Sequence, residues 1–295
     1  MDALLLPLVV LLAAAGIAIP APGRWVDRAG AIDPTLAGLV LTAGLSVELA
    51  DLRQVIRRWP RLLVALASSS AGLPVLAWAL SRAASGVVRQ GILAAGVAPS
   101  EVASVALTGL AGGEVPVAAV LLVGSSLVSV AYAGPVLGLV AHAPALRPLG
   151  LLATLAAVVA GPLAGGIVLR RLAGRHQAVV GIGRVAGGVS LLALLWEVAS
   201  QIHLEAAYLV GAGLLVAFLA GAAGIGVAVS QGAARAARPG VVLPVAMRDF
   251  AVAAGIAAAA FGPGSTGVLG IYGLLVLLGG ATAAHHWARG RRIGQ

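Results

Sequence analysis

Two short stretches carry charges and prolines inside otherwise apolar sequence. The first is "APSEVAS", with Pro99, Ser100, Glu101 and Ser104. The second is "LPVAMRDF", with Pro244, Arg248 and Asp249. An ionisable group inside a membrane span costs about 2.5–3.5 kcal/mol on insertion scales, so it marks a site. Proline removes a backbone donor and frees a carbonyl one turn back. Half-helix ends left by such a break point dipoles at a cavity. A carboxylate there can bind a cation or take up a proton; a guanidinium can attract an anion. Arg248 and Asp249 are adjacent, so on a regular helix they point about 100° apart and do not neutralise each other face to face. Glu101 is the natural partner for Arg248, with Asp249 as the alternative. Two plainer readings stand beside these. Glu101 could sit at the mouth of a loop between short helices, and residues 240–250 could form a re-entrant loop with an exposed ion pair.

The elements that position these residues follow from composition. Of 295 residues, 60% are hydrophobic and 10% charged, and the mean hydropathy is +1.05. A soluble domain carries about 25% charge, so this is an integral membrane protein. Without cysteine, disulfides, thiol catalysis and thiolate metal sites are excluded. The net charge of +9 brings no basic stripe with interleaved aromatics, so no nucleic-acid partner is expected. "GIGRVAGG" (Gly181 to Gly188) has the wrong spacing for a dinucleotide fingerprint and follows no strand. No nucleophile–His–acid set and no metal-ligand cluster is visible, so an enzyme is not expected, nor a bound cofactor.

A bilayer core about 30 Å thick needs roughly 20 apolar residues per helix. Apolar runs fall at about 3–22, 34–48, 61–82, 89–112, 116–141, 148–170, 180–200, 205–231, 240–262 and 265–287, giving ten spans. The first, starting "MDALLLP", is read as a span and not as a signal peptide, because Asp2 stands where a positive n-region would be. With the N-terminus in the cytoplasm, thirteen arginines fall on inside segments and five on outside ones. That bias places both termini in the cytoplasm. All 19 basic residues are arginine and Ala and Gly abound, which suggests a GC-rich bacterium and hence its inner membrane.

Ten spans divide into five and five, residues 1–143 and 144–295. Five is odd, so a duplicated second half enters the membrane upside down. Pro99 lies in the fourth span and Pro244 in the ninth, at matching places in the two halves. Paired interruptions of this kind point to an inverted-repeat transporter and its binding site. Elsewhere, "GGEVP" (Gly112 to Pro116) predicts a turn that puts Glu114 at the cytoplasmic surface. Ser68, Ser69, Ser70, Ser125, Ser126, Ser129, Tyr132, Glu197, His203 and Tyr272 are scattered polar groups, and hydroxyls in membrane helices mostly serve packing. His285 and His286 belong to a solvated tail.

The chain resembles the bile acid:sodium symporter family in three stretches: Gly44 to Leu80, "APSEVASVALTGLAGGE" (Ala98 to Glu114) and "LPVAMRDFAVAAGIAAAAFG" (Leu243 to Gly262). The resemblance implies an all-α protein of ten transmembrane helices in two inverted five-helix repeats. Spans 1, 2, 6 and 7 would form a panel and spans 3–5 and 8–10 a core, with the fourth and ninth helices broken where they cross. It implies sodium-driven uptake of an organic anion. The usual sodium ligands, however, are mostly replaced. The family's "GGTASN" is Ser100-Glu101-Val102-Ala103-Ser104-Val105 here, keeping Ser104 as a residual sodium ligand and losing the asparagine. The ninth-span Glu and Gln-Asn positions hold Pro244, Arg248 and Asp249; a third-span Gln falls at Ser69, and Ser125 lies near a fifth-span hydroxyl position. Arg248 is therefore expected to substitute for sodium's charge, leaving protons as the coupling ion or no coupling. Ser100, Glu101, Ser104, Arg248, Asp249, Ser69 and Ser125 are the expected substrate or ion ligands. The rival readings are a proton-coupled or uncoupled exporter from a related ten-span family and a membrane sensor that does not transport.

Overall fold

The computed structural model describes residues 2–19, 21, 32–45, 59–141, 161–173, 177–200 and 206–293. Within them the chain is all-α. A lipid-embedded backbone must satisfy its own polar groups, and a helix does so within one segment. Twelve helices follow in order: α1 (Asp2–Ala18), α2 (Ile32–Leu45), α3 (Trp59–Ser81), α4 (Gly86–Val97), α5 (Ala103–Leu110), α6 (Val115–Ala141), α7 (Gly161–Leu172), α8 (Gln177–Ser200), α9 (Ala206–Val229), α10 (Arg238–Ala246), α11 (Phe250–Phe261) and α12 (Gly267–Ile293). Among the described residues, four stretches are long and apolar enough to cross a membrane: Trp59–Ser81, Val115–Ala141, Val210–Val229 and Gly264–Gly290.

The count of twelve against an expected ten has a local cause. Apolar runs 89–112 and 240–262 are each split into two short helices, α4 with α5 and α10 with α11. The first split contains Pro99 as expected. The second does not fall at Pro244, which lies inside α10; the helix runs on to Ala246 and opens at Met247, whose ψ of 115° is extended. Pro244 lacks the N–H that would bond one turn back, which weakens the end of α10 without ending it there.

The helices sort by packing. α2 lies against both α7 and α8, and α1 lies against α8. α3 packs on α4, α6 and α9; α10 packs on α9, α6 and α5; α12 packs on α5, α9 and α11. The α2–α7 contact is very close. A Cβ at Gly44 would collide with the Leu163 carbonyl, and one at Gly166 with the Leu41 carbonyl. Small residues let membrane helices approach this way. The largest buried cluster surrounds the two splits and includes Ile92, Leu107, Leu122, Phe218, Phe250 and Tyr272.

Candidate functional site: two broken helices crossing

The two splits meet. α4 ends at an extended Ala98 (φ −64°, ψ 154°), and α11 begins after an extended Asp249 (φ −67°, ψ 109°). Ser100 lies opposite Arg248 in a short antiparallel bridge. The Glu101 N–H donates to the Met247 carbonyl (2.8 Å) and the Asp249 N–H donates to the Pro99 carbonyl (2.9 Å). Backbone groups that each break would leave bare thus satisfy one another. That matters where water is scarce, because an orphaned buried amide costs as much as a lost hydrogen bond. Proline suits its place, since the bridge uses only its carbonyl.

Charges are matched to helix ends. The Glu101 carboxylate spans two of them: Oε1 accepts from the Ala103 N–H (3.3 Å) at the start of α5, and Oε2 from the Phe250 N–H (3.4 Å) at the start of α11. Asp249 is the N-cap of α11, accepting from the Val252 N–H (2.8 Å). Carboxylates complement the positive ends of helix dipoles. Arg248 does the opposite job: its Nη2 donates to the Ala98 carbonyl at the C-terminal end of α4. The guanidinium does not pair with either acid. Its Nε and Nη1 have no hydrogen-bond partner. Arg248 is 1% exposed, Glu101 0% and Asp249 2%, so all three are enclosed by protein.

Neighbouring helices hold the crossing in two ways. On α6, Ser125 Oγ accepts from the Ser100 N–H (3.0 Å) and lies 3.0 Å from the Ser100 hydroxyl, while Ser129 Oγ donates to the Val97 carbonyl (2.7 Å). The Tyr132 hydroxyl, also on α6, faces the guanidinium. On α12, the Tyr272 hydroxyl accepts from the Arg248 N–H (3.3 Å). Glycines on α12 seat the flanking apolar residues. A Cβ at Gly273 would come within 2.8 Å of the Phe250 ring, and one at Gly280 within 2.6 Å of the Met247 sulfur.

Of the expected site residues, Ser100, Glu101, Arg248, Asp249 and Ser125 come together here. Ser104 is fully buried beside them with an unpartnered hydroxyl. Ser69 is buried on α3 and its hydroxyl donates to its own helix at Leu66 (2.9 Å). Glu114 lies in the turn between α5 and α6, its N–H donating to the Ala236 carbonyl (2.9 Å). The Glu197 side chain and His203 lie outside the described residues. Ser129, Tyr132 and Tyr272 belong to the crossing, although in the sequence they are only scattered polar groups. A signal existed: Ser125, Ser129 and Tyr132 are spaced by four and three, one face of a helix.

A cavity of about 250 Å³ opens between α5 and the start of α6 on one side and α2, α7 and α8 on the other. Thr42, Val105, Ala106, Arg170, Gly187 and Leu191 are among its lining. Val105 and Ala106 directly follow Ser104, so the charged crossing lies behind the α5 wall.

No group of three or more His, Asp or Glu able to hold a metal ion occurs among the described residues. Apolar helices, two of them broken at one crossing with buried charges on their ends, define a multi-pass membrane protein of the transporter class. The chain belongs to the sodium bile acid symporter family, whose model matches residues 34–212, more than half of it. That match takes in the first break and stops short of the second. Comparison with curated proteins found no match.

Proposed function

We propose that this protein is a secondary carrier that moves a small organic anion across a bacterial inner membrane by alternating access, without sodium coupling. Counting each broken pair once turns twelve helices into ten spans, in inverted repeats 1–143 and 144–295 with both termini cytoplasmic. The packing of α1 on α8 and of α2 on α7 and α8 supports a panel of these four helices, reached from the other eight through α12 and α5; those eight would be the core. Rocking one against the other would expose the cavity between them to alternate sides. That cavity is the better seat for the anion: Thr42 and Arg170 line it, whereas Arg248 is enclosed.

The observation that carries the sodium reading is the Arg248–Ala98 contact. Carbonyls at a helix C-terminus attract a cation. Here a tethered one already occupies the Ala98 carbonyl. A hard cation needs several oxygen ligands, and an adjacent guanidinium repels it. Glu101 and Asp249 are the acids at the crossing, so any coupling would run through a proton on one of these carboxylates.

A thermal-shift screen of small organic acids, with and without sodium, identifies the substrate; the Arg248→Gln variant is screened alongside. Flux of the best ligand into proteoliposomes is then compared with sodium or choline outside. Equal flux is expected. Strict sodium dependence would reject the proposal. With the anion in the cavity, Arg248→Gln should keep the binding profile of the wild type, and loss of binding in that variant would place the anion at the crossing instead.

A further inference from the structure

A second cavity lies away from the crossing, at the ends of α9, α10 and α12. Its volume is about 530 Å³, and Val227, Ser230, Gln231, Arg238, Val242 and Trp287 line it. Liquid water takes about 30 Å³ per molecule, so this space is far larger than one ion needs. Its lining contains a cation and no acid. The lining is also mixed. Val227 and Val242 are its apolar members, Arg238, Gln231 and Ser230 its polar ones, and the Trp287 indole joins the two kinds.

The position of the cavity along the helices fits a membrane–water boundary. Val227 is in the last turn of α9, Arg238 is the first residue of α10, and Trp287 is in the last two turns of α12. Trp and Arg concentrate where helices leave the hydrocarbon layer. The sequence around it is basic: Arg235 in the turn, and Arg289, Arg291 and Arg292 at the end of α12, with no acid in 230–238 or 282–295. Glu114 reaches the turn from the side through its backbone bond to Ala236. Arg238 is exposed, and its Nε donates to the Ala233 carbonyl (3.4 Å) at the mouth of the cavity. At Gly232 (φ +77°) a Cβ would meet nothing within 4 Å, so the cavity is open on that rim.

We propose that this crevice binds an anionic phospholipid. The phosphate sits on Arg238 and Gln231, the glycerol region passes Ser230 and Trp287, and an acyl chain follows Val227 and Val242 into the bilayer. Basic pockets between membrane helices bind acidic headgroups in this manner. The site has a mechanical consequence. α10 is the first half of the second broken helix, and the 231–237 turn bonds the α5–α6 turn that borders the 250 Å³ cavity. Lipid held at this point braces a half-helix of the crossing at its outer end.

The test is lipid retention by the intact protein in detergent, read by native mass spectrometry with phosphatidylglycerol and phosphatidylcholine in equal amounts. The wild type is expected to retain phosphatidylglycerol over phosphatidylcholine. Arg238→Gln should cut that preference about fivefold, the effect of removing one basic group near an anionic headgroup. Val227→Trp, at a position 51% exposed, fills the apolar part and should reduce retention of both lipids; it carries the test if Arg238→Gln fails to fold. Equal retention of the two lipids by the wild type, or an unchanged preference in Arg238→Gln, overturns the proposal. So does glycerol phosphate raising the melting temperature as much as phosphatidylglycerol does, which would assign the site to a soluble phosphate.

Discussion

The two breaks meet in one bridge but are held by different chemistry. The first, at residues 98–102, is held by hydroxyls: Ser125 and Ser129 of α6 bond to Ser100 and Val97. The second, at residues 247–249, is held by shape: Met247 and Phe250 lie against Gly280 and Gly273 of α12, with one Tyr272 bond between them. Hydrogen bonds between membrane helices contribute little individually, about 0.6 kcal/mol on average. Tight packing tolerates almost no added volume. The first break therefore has the softer support and the second the stiffer one. In a carrier that must move at its crossing, this assigns the compliance to the α4–α5 side and the anchoring to the α10–α11 side.

Adding volume at the anchor is the sharpest way to break this comparison. Gly273→Leu drives a side chain into the Phe250 ring, and overpacking of this kind costs about 1–3 kcal/mol or more. We expect the largest fall in melting temperature of any single change discussed, read on purified protein in detergent. A fall no larger than that of a serine deletion on α6 would erase the stiff–soft contrast. Asp249→Ala comes next. It removes the N-cap of α11, costing about 1–2 kcal/mol, and leaves the half-buried Val252 N–H without its side-chain acceptor. Asp249→Asn should recover most of that loss, because an amide oxygen caps nearly as well; an Asn variant as unstable as Ala would show that charge and not capping holds the residue.

Much of this site was legible in sequence, for physical reasons. Charges and a proline cannot hide in a run of Ala, Val and Leu, so Glu101, Arg248 and Asp249 identified both breaks. The place of the second break was less legible. Pro244 is a strong signal, but the true opening comes a few residues later at Met247, where Asp249 starts a new helix. Periodicity could have retrieved Ser129 and Tyr132, whose spacing from Ser125 puts them on one face. It could not say which partner Arg248 takes. A carboxylate is the obvious one by charge, yet the guanidinium donates to the Ala98 carbonyl, a group every residue has. The glycine seats of α12 were invisible for a related reason: glycine is common in this chain, and only the fold shows which ones touch Met247 and Phe250.

The smallest expected effects test the softer support. Ser129→Ala removes the donor to the Val97 carbonyl and should cost about 1 kcal/mol, toward the upper end of interhelical bonds in membranes. Ser125→Ala should cost at least as much. It strips the buried Ser100 N–H of its acceptor, and an orphaned buried N–H is tolerated less often than an under-satisfied carbonyl. The pair provides an internal control. Ser125 and Ser129 lie one turn apart on the same face and lose the same atom, so they differ chiefly in what the hydroxyl reaches. If melting temperatures fall equally, the bonds to the break do not distinguish them and α6 supports the crossing by packing alone. If Ser125→Ala falls further while Gly273→Leu exceeds both, the α6 side is held by bonds that can be exchanged one at a time and the α12 side by contacts that cannot. A helix pair that bends at one break while anchored at the other needs that asymmetry.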